Sequence, residues 1–458
     1  MANPVPVSYS SPVPKVGGGR EIFPNASLDL IAAAPENSWI KLNATTYNSA
    51  WPPVDYRAPY MSGTSHPSTI IKAWSGFAWD SNRSRLLLWG GGHANSSGNE
   101  LFSWDAATRQ WSLALYPSDV IDVAGGGAYD TVDGARKSPL SSHTYASNHY
   151  LTTIDRMVVF GGAAHSTGAA MVLRDPPGAA SFLRGVGCYT AQPGLFGRGF
   201  VGGDSGSNPH RNTTVGVNLP GARAWEMRDW MSPDAQGFAG FGVRVNSGVD
   251  VRQESGVDVV YALFVYEAWR IAFAPDWRND VITKVGRFKS EIQATLRAVA
   301  LHNGANLFVS TSTATKPLTF WDLDYAGPTN DDKSVLAENL GGPGAALFLS
   351  ENIGKAGMAY DPVRDRLLVW FDGGRLYEIM VPMGKPTPTT GWTVSVLIDP
   401  ASPRPQTPAE MGSNASTGVT GKWRYAPDLD AFIGLQHNTD GNVWAFKPAQ
   451  WQDPRTAA

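Results

Sequence analysis

The chain has 458 residues, 42% hydrophobic and 17% charged, with a formal net charge of −3. That near-neutral balance argues against a nucleic-acid or acidic-membrane partner, and the single cysteine, Cys188, excludes an intrachain disulfide. Abundant glycine (49) and proline (33), with 17 tryptophans, favour many short elements joined by turns over long helices.

In chain order, residues 1–24 are rich in Pro, Ser and Gly and read as a flexible arm or docking segment. They lack the basic and apolar regions of a secretory signal, and no run of about 18 apolar residues marks a membrane span. We therefore expect synthesis in the cytoplasm and no membrane insertion. "SLDLIAAA" near Ser27 predicts a helical turn or two, and "NSWIKLNA" (37–44) predicts a lone strand.

A pattern then recurs: a short apolar strand, a polar turn, and a second apolar strand ending at Gly or a small polar loop. It appears as "GFAWDSNRSRLLLWGGG" (76–92), "HTYASNHYLTTIDRMVVFGG" (143–162), "GMAYDPVRDRLLVWFDGG" (357–374) and "WRYAPDLDAFIGLQHNTDG" (423–441). Weaker copies are "GVDVVYALFVYEAWRIAFAPDW" (256–277) and "RAVALHNGANLFVSTSTATKPLTFWDL" (297–323). Turns fall at Asp80, Asp155, Asp258, Asn303, Arg364 and Asp428, mostly about 50 to 75 residues apart, a spacing suited to propeller blades with insertions.

Third strands are predicted at "NELFSWD", "AAMVLRD", "RLYEIMV" and "NVWAFKP", and fourth strands at "QWSLALYP" and "GWTVSVLI". The final copy ends without a fourth strand, so the segment around Trp39 is expected to pair beside the one around Trp444 and close the ring. The expectation is an all-β, six-bladed β-propeller over residues 25–458, with seven blades as the alternative. A Gly-rich insertion is expected at about 176–220.

This pattern resembles the kelch-repeat superfamily, which includes the central propeller of galactose oxidase. Leu86–Trp89, Gly90–Gly92, Phe102, Trp104, Asp105 and Trp111 carry the likeness, as do Leu367–Trp370, Gly373, Gly374, Tyr377 and Trp392. The paired glycines suit an exit from the second strand that needs positive φ. The oxidase's copper chemistry does not carry over: it needs a tyrosine cross-linked to cysteine, and Cys188 adjoins Tyr189 with no matching cluster. No cofactor is expected.

In such a blade, the loops between strands two and three and those between blades share one face. That rim would hold His93, Asn95, His165, Asp372, His437 and Asn438, joined by His143 and Glu351. Imidazoles suit Zn or Cu, but on distant blades they stand too far apart for ligand bonds of about 2 Å. The rim is therefore expected to contact a ligand without a metal. Trp225 and Trp230 add candidate aromatic contacts in a polar segment.

The functional expectation is non-catalytic recognition of a carbohydrate or protein partner, with no catalytic residues assigned. The composition suggests a virion setting such as a bacteriophage tail or fibre, with residues 1–24 meeting other virion proteins. The alternatives are a glycan-active hydrolase or lyase with its site over the channel, and an intracellular kelch-type scaffold.

Overall fold

The computed structural model describes residues 25–52, 66–72, 75–92, 96, 98–115, 117, 120–122, 129–131, 141–160, 172–174, 180–182, 188–191, 225–228, 248–264, 267–288, 297–381, 384–398, 403–407, 410 and 418–456. They form an all-β propeller of antiparallel sheets. We number the four-stranded sheets I to VI in chain order, from the innermost strand outward. Sheet I runs Ser75–Asp80, Arg85–Gly90, Leu101–Asp105 and Gln110–Leu115. Sheet III comprises Gly248–Glu254, Val257–Phe264, Glu267–Ala272 and Val281–Arg287, and sheet IV Val299–His302, Leu307–Thr311, Leu318–Asp322 and Lys333–Val335. Sheet V is Gly357–Asp361, Arg366–Trp370, Leu376–Met380 and Thr393–Ile398. Sheet VI takes Trp423–Ala426, Ala431–Gln436 and Asn442–Lys447 from the end of the chain and Ser38–Lys41 from its beginning.

These five blades are described with side chains in all four strands, Phe264 excepted. Sheet II pairs Asn148–Leu151, Arg156–Phe160, Cys188–Ala191 and Trp225–Arg228, but only its inner two strands have described side chains. Five fully described blades thus stand against the six, or alternatively seven, expected. The shortfall lies in the outer half of sheet II, which falls in and beyond the Gly-rich stretch.

Two strand assignments are corrected there. Cys188–Ala191 is the third strand of sheet II, opposite Met157–Phe160; Val172–Arg174 pairs instead with Ala180–Phe182. Ladder pairing with an existing β-strand decides this, and local pattern cannot reveal it. Asp258 also leaves the turn assigned to it: the corner of sheet III lies at Ser255 and Gly256, and Asp258 sits in the second strand opposite Gln253. Residues 1–24, the expected arm, are outside the described residues.

Each hairpin between first and second strands turns through a left-handed residue: Ser84, Asp155, Ser255, Asn306, Asp365 and Asp430, all with φ between 43° and 57°. Asn, Asp and Ser tolerate that conformation because a short polar side chain can bond locally. At the opposite end of sheet I, Gly90 and Gly91 have φ of 123° and 87°, the positive-φ exit that the paired glycines predicted.

The core lies between sheets. Trp39, Trp370 and Trp423 meet with ring centroids 5.4–5.7 Å apart between sheets V and VI. Close backbone approach joins sheet I to its neighbours: a Cβ on Gly76 would lie 2.0 Å from the carbonyl oxygen of Tyr145. The helix Ala26–Ala33 is capped by Asn25, whose Oδ1 accepts from the backbone N–H groups of Ser27 and Leu28 at 3.1 Å. No helix among the described residues is long and apolar enough to cross a membrane.

Candidate functional site: an axial cavity at the hairpin face

A cavity of about 290 Å³ lies where the innermost strands of all six sheets converge. Its lining includes Trp79, His149, Tyr150, Asp250, Leu301, Met358, Tyr360, Arg424 and Tyr425 from those strands. Asn82, Thr152, Asn303 and Pro427, from the hairpin corners, complete it. The site is therefore at the corner end of the strands, opposite the rim singled out in the sequence.

The local repeat explains the aromatic walls. In three sheets a tyrosine near the end of the first strand donates to the left-handed aspartate five residues on. The distances are 2.5 Å for Tyr150–Asp155, 2.7 Å for Tyr360–Asp365 and 2.7 Å for Tyr425–Asp430. Burial, above all, raises each phenol's pKa, so the rings remain neutral. In sheet I the equivalent place is taken by Trp79, whose indole N–H donates to Asp428 at 2.6 Å. One residue earlier along the strands of sheets II and VI stand His149 and Arg424, which also line the cavity.

His149 Nε2 lies 3.1 Å from Asp250 Oδ1. Its Nδ1 accepts from the backbone N–H of Tyr150 at 3.0 Å, which places the proton on Nε2. Burial lowers the imidazole's pKa; Asp250 opposes that shift and the Arg424 charge adds to it, so His149 is neutral near pH 7. Asp250 also accepts from the amides of Val251 (2.9 Å) and Leu301 (2.7 Å). Arg424 donates through Nη2 to the carbonyls of Asn148 (2.9 Å) and Ala146 (3.3 Å).

The rim residues have other partners. Asp372, with φ 76°, accepts from the Gln436 side-chain amide and feels the buried Lys422 cation. Its carboxyl is pushed up to about 7, chiefly by burial. Glu351 takes Tyr377 Oη at 2.9 Å and Arg375 at 3.2 Å. His437 Nδ1 accepts from the Asp440 amide at 3.0 Å, Asn438 lies in the same turn, and His143 is buried beside Tyr145. His93, Asn95, His165 and Trp230 fall outside the described residues, and of Trp225 only the strand backbone is described. Among the described rim residues, Asp372 meets Gln436, the residue before His437.

Sequence pattern passed over His149, Asp250 and Arg424. The available signal was a charged or imidazole residue next to apolar or aromatic neighbours in an innermost strand ("NHYL", "GVDVRQE", "WRYA"). Such a position is costly to bury without a partner.

No family model and no curated protein matches the sequence. Among solved structures, the chain is similar to a luciferin-regenerating enzyme (11% identity, TM-score 0.37, covering 84% of this chain and 94% of that one). It is also similar to regucalcin, a calcium-binding protein of Agrobacterium tumefaciens (9%, TM-score 0.36, 83% and 93%). A third is a gluconolactonase of Xanthomonas campestris (10%, TM-score 0.32, 90% and 98%). At these identities and scores the likeness carries nothing about the site.

Proposed function

We propose that this propeller binds a small carbohydrate in the axial cavity, with the hairpin face as its binding face. One feature carries the reading: aromatic walls from Trp79, Tyr150, Tyr360 and Tyr425 surround a polar floor and polar corners in one cavity. Flat rings beside hydrogen-bonding groups suit a sugar's mixed faces. A volume of about 290 Å³, at the small end for ligand pockets, fits one or two sugar rings better than a polymer. We read the ring as six-bladed, with sheet II as a blade and Ser38–Lys41 as its closing strand. The kelch likeness rests on the sequence pattern of sheets I and V, and the virion setting on composition; the cavity requires neither.

A second reading, an enzyme acting on a glycan in the same cavity, is favoured by the His149–Asp250 pair. Binding without turnover is preferred because both imidazole nitrogens of His149 are already engaged.

Titration calorimetry of the full chain against mono- and disaccharides, with reducing-sugar release followed in parallel, tests both readings. Gln253→Trp, at the cavity's corner, should abolish binding while leaving the thermal transition in place. Binding that survives Gln253→Trp and is lost on replacing Asp372 and His437 would return the site to the opposite rim. Sugar release that stops with His149→Ala would establish the enzyme.

A further inference from the structure

We infer that the ligand of the axial cavity carries an oxyanion, a carboxylate on a sugar-sized body, and that Arg424 receives it. The inference rests on the cavity being the binding site and adds the ligand's charge.

The cavity contains two guanidinium groups with opposite circumstances. Arg252 spends its donors on Glu254 (2.7 Å), Asn306 (2.9 Å) and Tyr261 (2.9 Å). Arg424 is only 6% exposed, yet it makes no ion pair among the described residues. Its bonds go to two backbone carbonyls, and its Nε has no hydrogen-bond partner among the described residues. The nearby acid, Asp250, is occupied by His149 and two amides.

Leaving a buried guanidinium without a contacting anion is expensive, and its planar fork matches a carboxylate. His149 is neutral, so it does not compete as a cation. Asn303 lines the same cavity and its Oδ1 also lacks a partner among the described residues; it offers an acceptor for a ligand hydroxyl. The cavity's unspent capacity is thus a charged donor and a neutral acceptor, the complement of a hydroxy acid.

The test is calorimetric binding of glucuronate, its neutral amide and glucose to the full chain. Glucuronate should bind about tenfold or more tighter than either neutral compound. Arg424→Gln should erase that preference and Arg424→Lys should retain part of it. Since Arg424 also braces two carbonyls, the acid-versus-amide comparison on the unmodified protein decides the question if the variants do not fold. Equal binding of the three compounds overturns the anion inference and leaves the cavity reading standing. Binding of none of them overturns both.

Discussion

Trp39, in the strand Ser38–Lys41, stands directly across from Phe446 in the last strand of the chain, with ring centroids 5.5 Å apart. The two ends of the described chain are thereby joined in one sheet, and the Trp39 indole N–H also reaches the carbonyl of Gly374, in the loop between the second and third strands of sheet V, at 2.8 Å.

Trp39 is 3% exposed, so Trp39→Ala leaves a cavity among Trp370, Trp423 and Phe446. We expect a loss of about 3 to 5 kcal/mol in urea unfolding. A change below 1 kcal/mol would mean that the N-terminal strand is dispensable.

The hairpin corners should differ in sensitivity. Asp430 is buried and takes two bonds from the equally buried Arg364, at 3.1 and 2.7 Å. Asp430→Ala leaves that guanidinium with Asp361 as its remaining carboxylate, 3.1 Å away, and takes the acceptor from the Tyr425 hydroxyl; it should cost about 3 kcal/mol. Asp155 holds Arg83 at 2.6 Å but is 41% exposed, and Asp155→Ala should cost about 1 kcal/mol. Denaturation midpoints of the two variants check the order, which a reversed ranking would refute.

Asp372 makes stability depend on pH. Its carboxyl ionises at about 7 in the fold against an ordinary 3.8, so the unfolded chain gives up this proton first. The stability it contributes is complete below about pH 4, declines as pH rises, and is gone above about pH 7. Asp372→Asn keeps an acceptor for Gln436 and should match the parent in acid while melting higher at pH 8. A melting difference that stays constant between pH 4 and 8 would exclude this linkage.

Lys422 has the opposite sign. It is 1% exposed, its ammonium donates among the described residues to Gly418 O alone, at 3.4 Å, and burial lowers its pKa from 10.5 to about 8. Its contribution is present above about pH 10.5 and falls away as pH drops toward 8. Lys422→Met should therefore be more stable than the parent at pH 7, with the gap closing by pH 10. Equal melting temperatures at pH 7 would show that the ammonium finds compensation elsewhere.

Much of the blade pattern was legible because it is written in short range. The alternation "GFAWD", turn, "RLLLWGG" names two strands and their corner without any distant contact. The outer strands near Gln110 and Thr393, and the lone strand near Trp39, carried the same aromatic and apolar signature. The third strand of sheet II was not legible, since "CYTA" and "MVLRD" are equally good strands and only the free edge of Arg156–Phe160 chooses between them. The rim histidines were conspicuous because they follow glycines. His149 and Arg424 were inconspicuous because each looks like one polar residue in a strand.

By itself the sequence determined the all-β architecture, most of the hairpin corners and the pairing of an early strand with the last one. Those follow from side-chain alternation and from residues that tolerate a left-handed turn, which are properties of a few neighbours. Tertiary structure alone decided which end of the strands holds the cavity and which groups share it. His149, Asp250 and Arg424 belong to three different sheets, and their meeting depends on how the innermost strands are arrayed about the axis. No local preference encodes that arrangement; it results from packing the apolar faces of neighbouring sheets against one another.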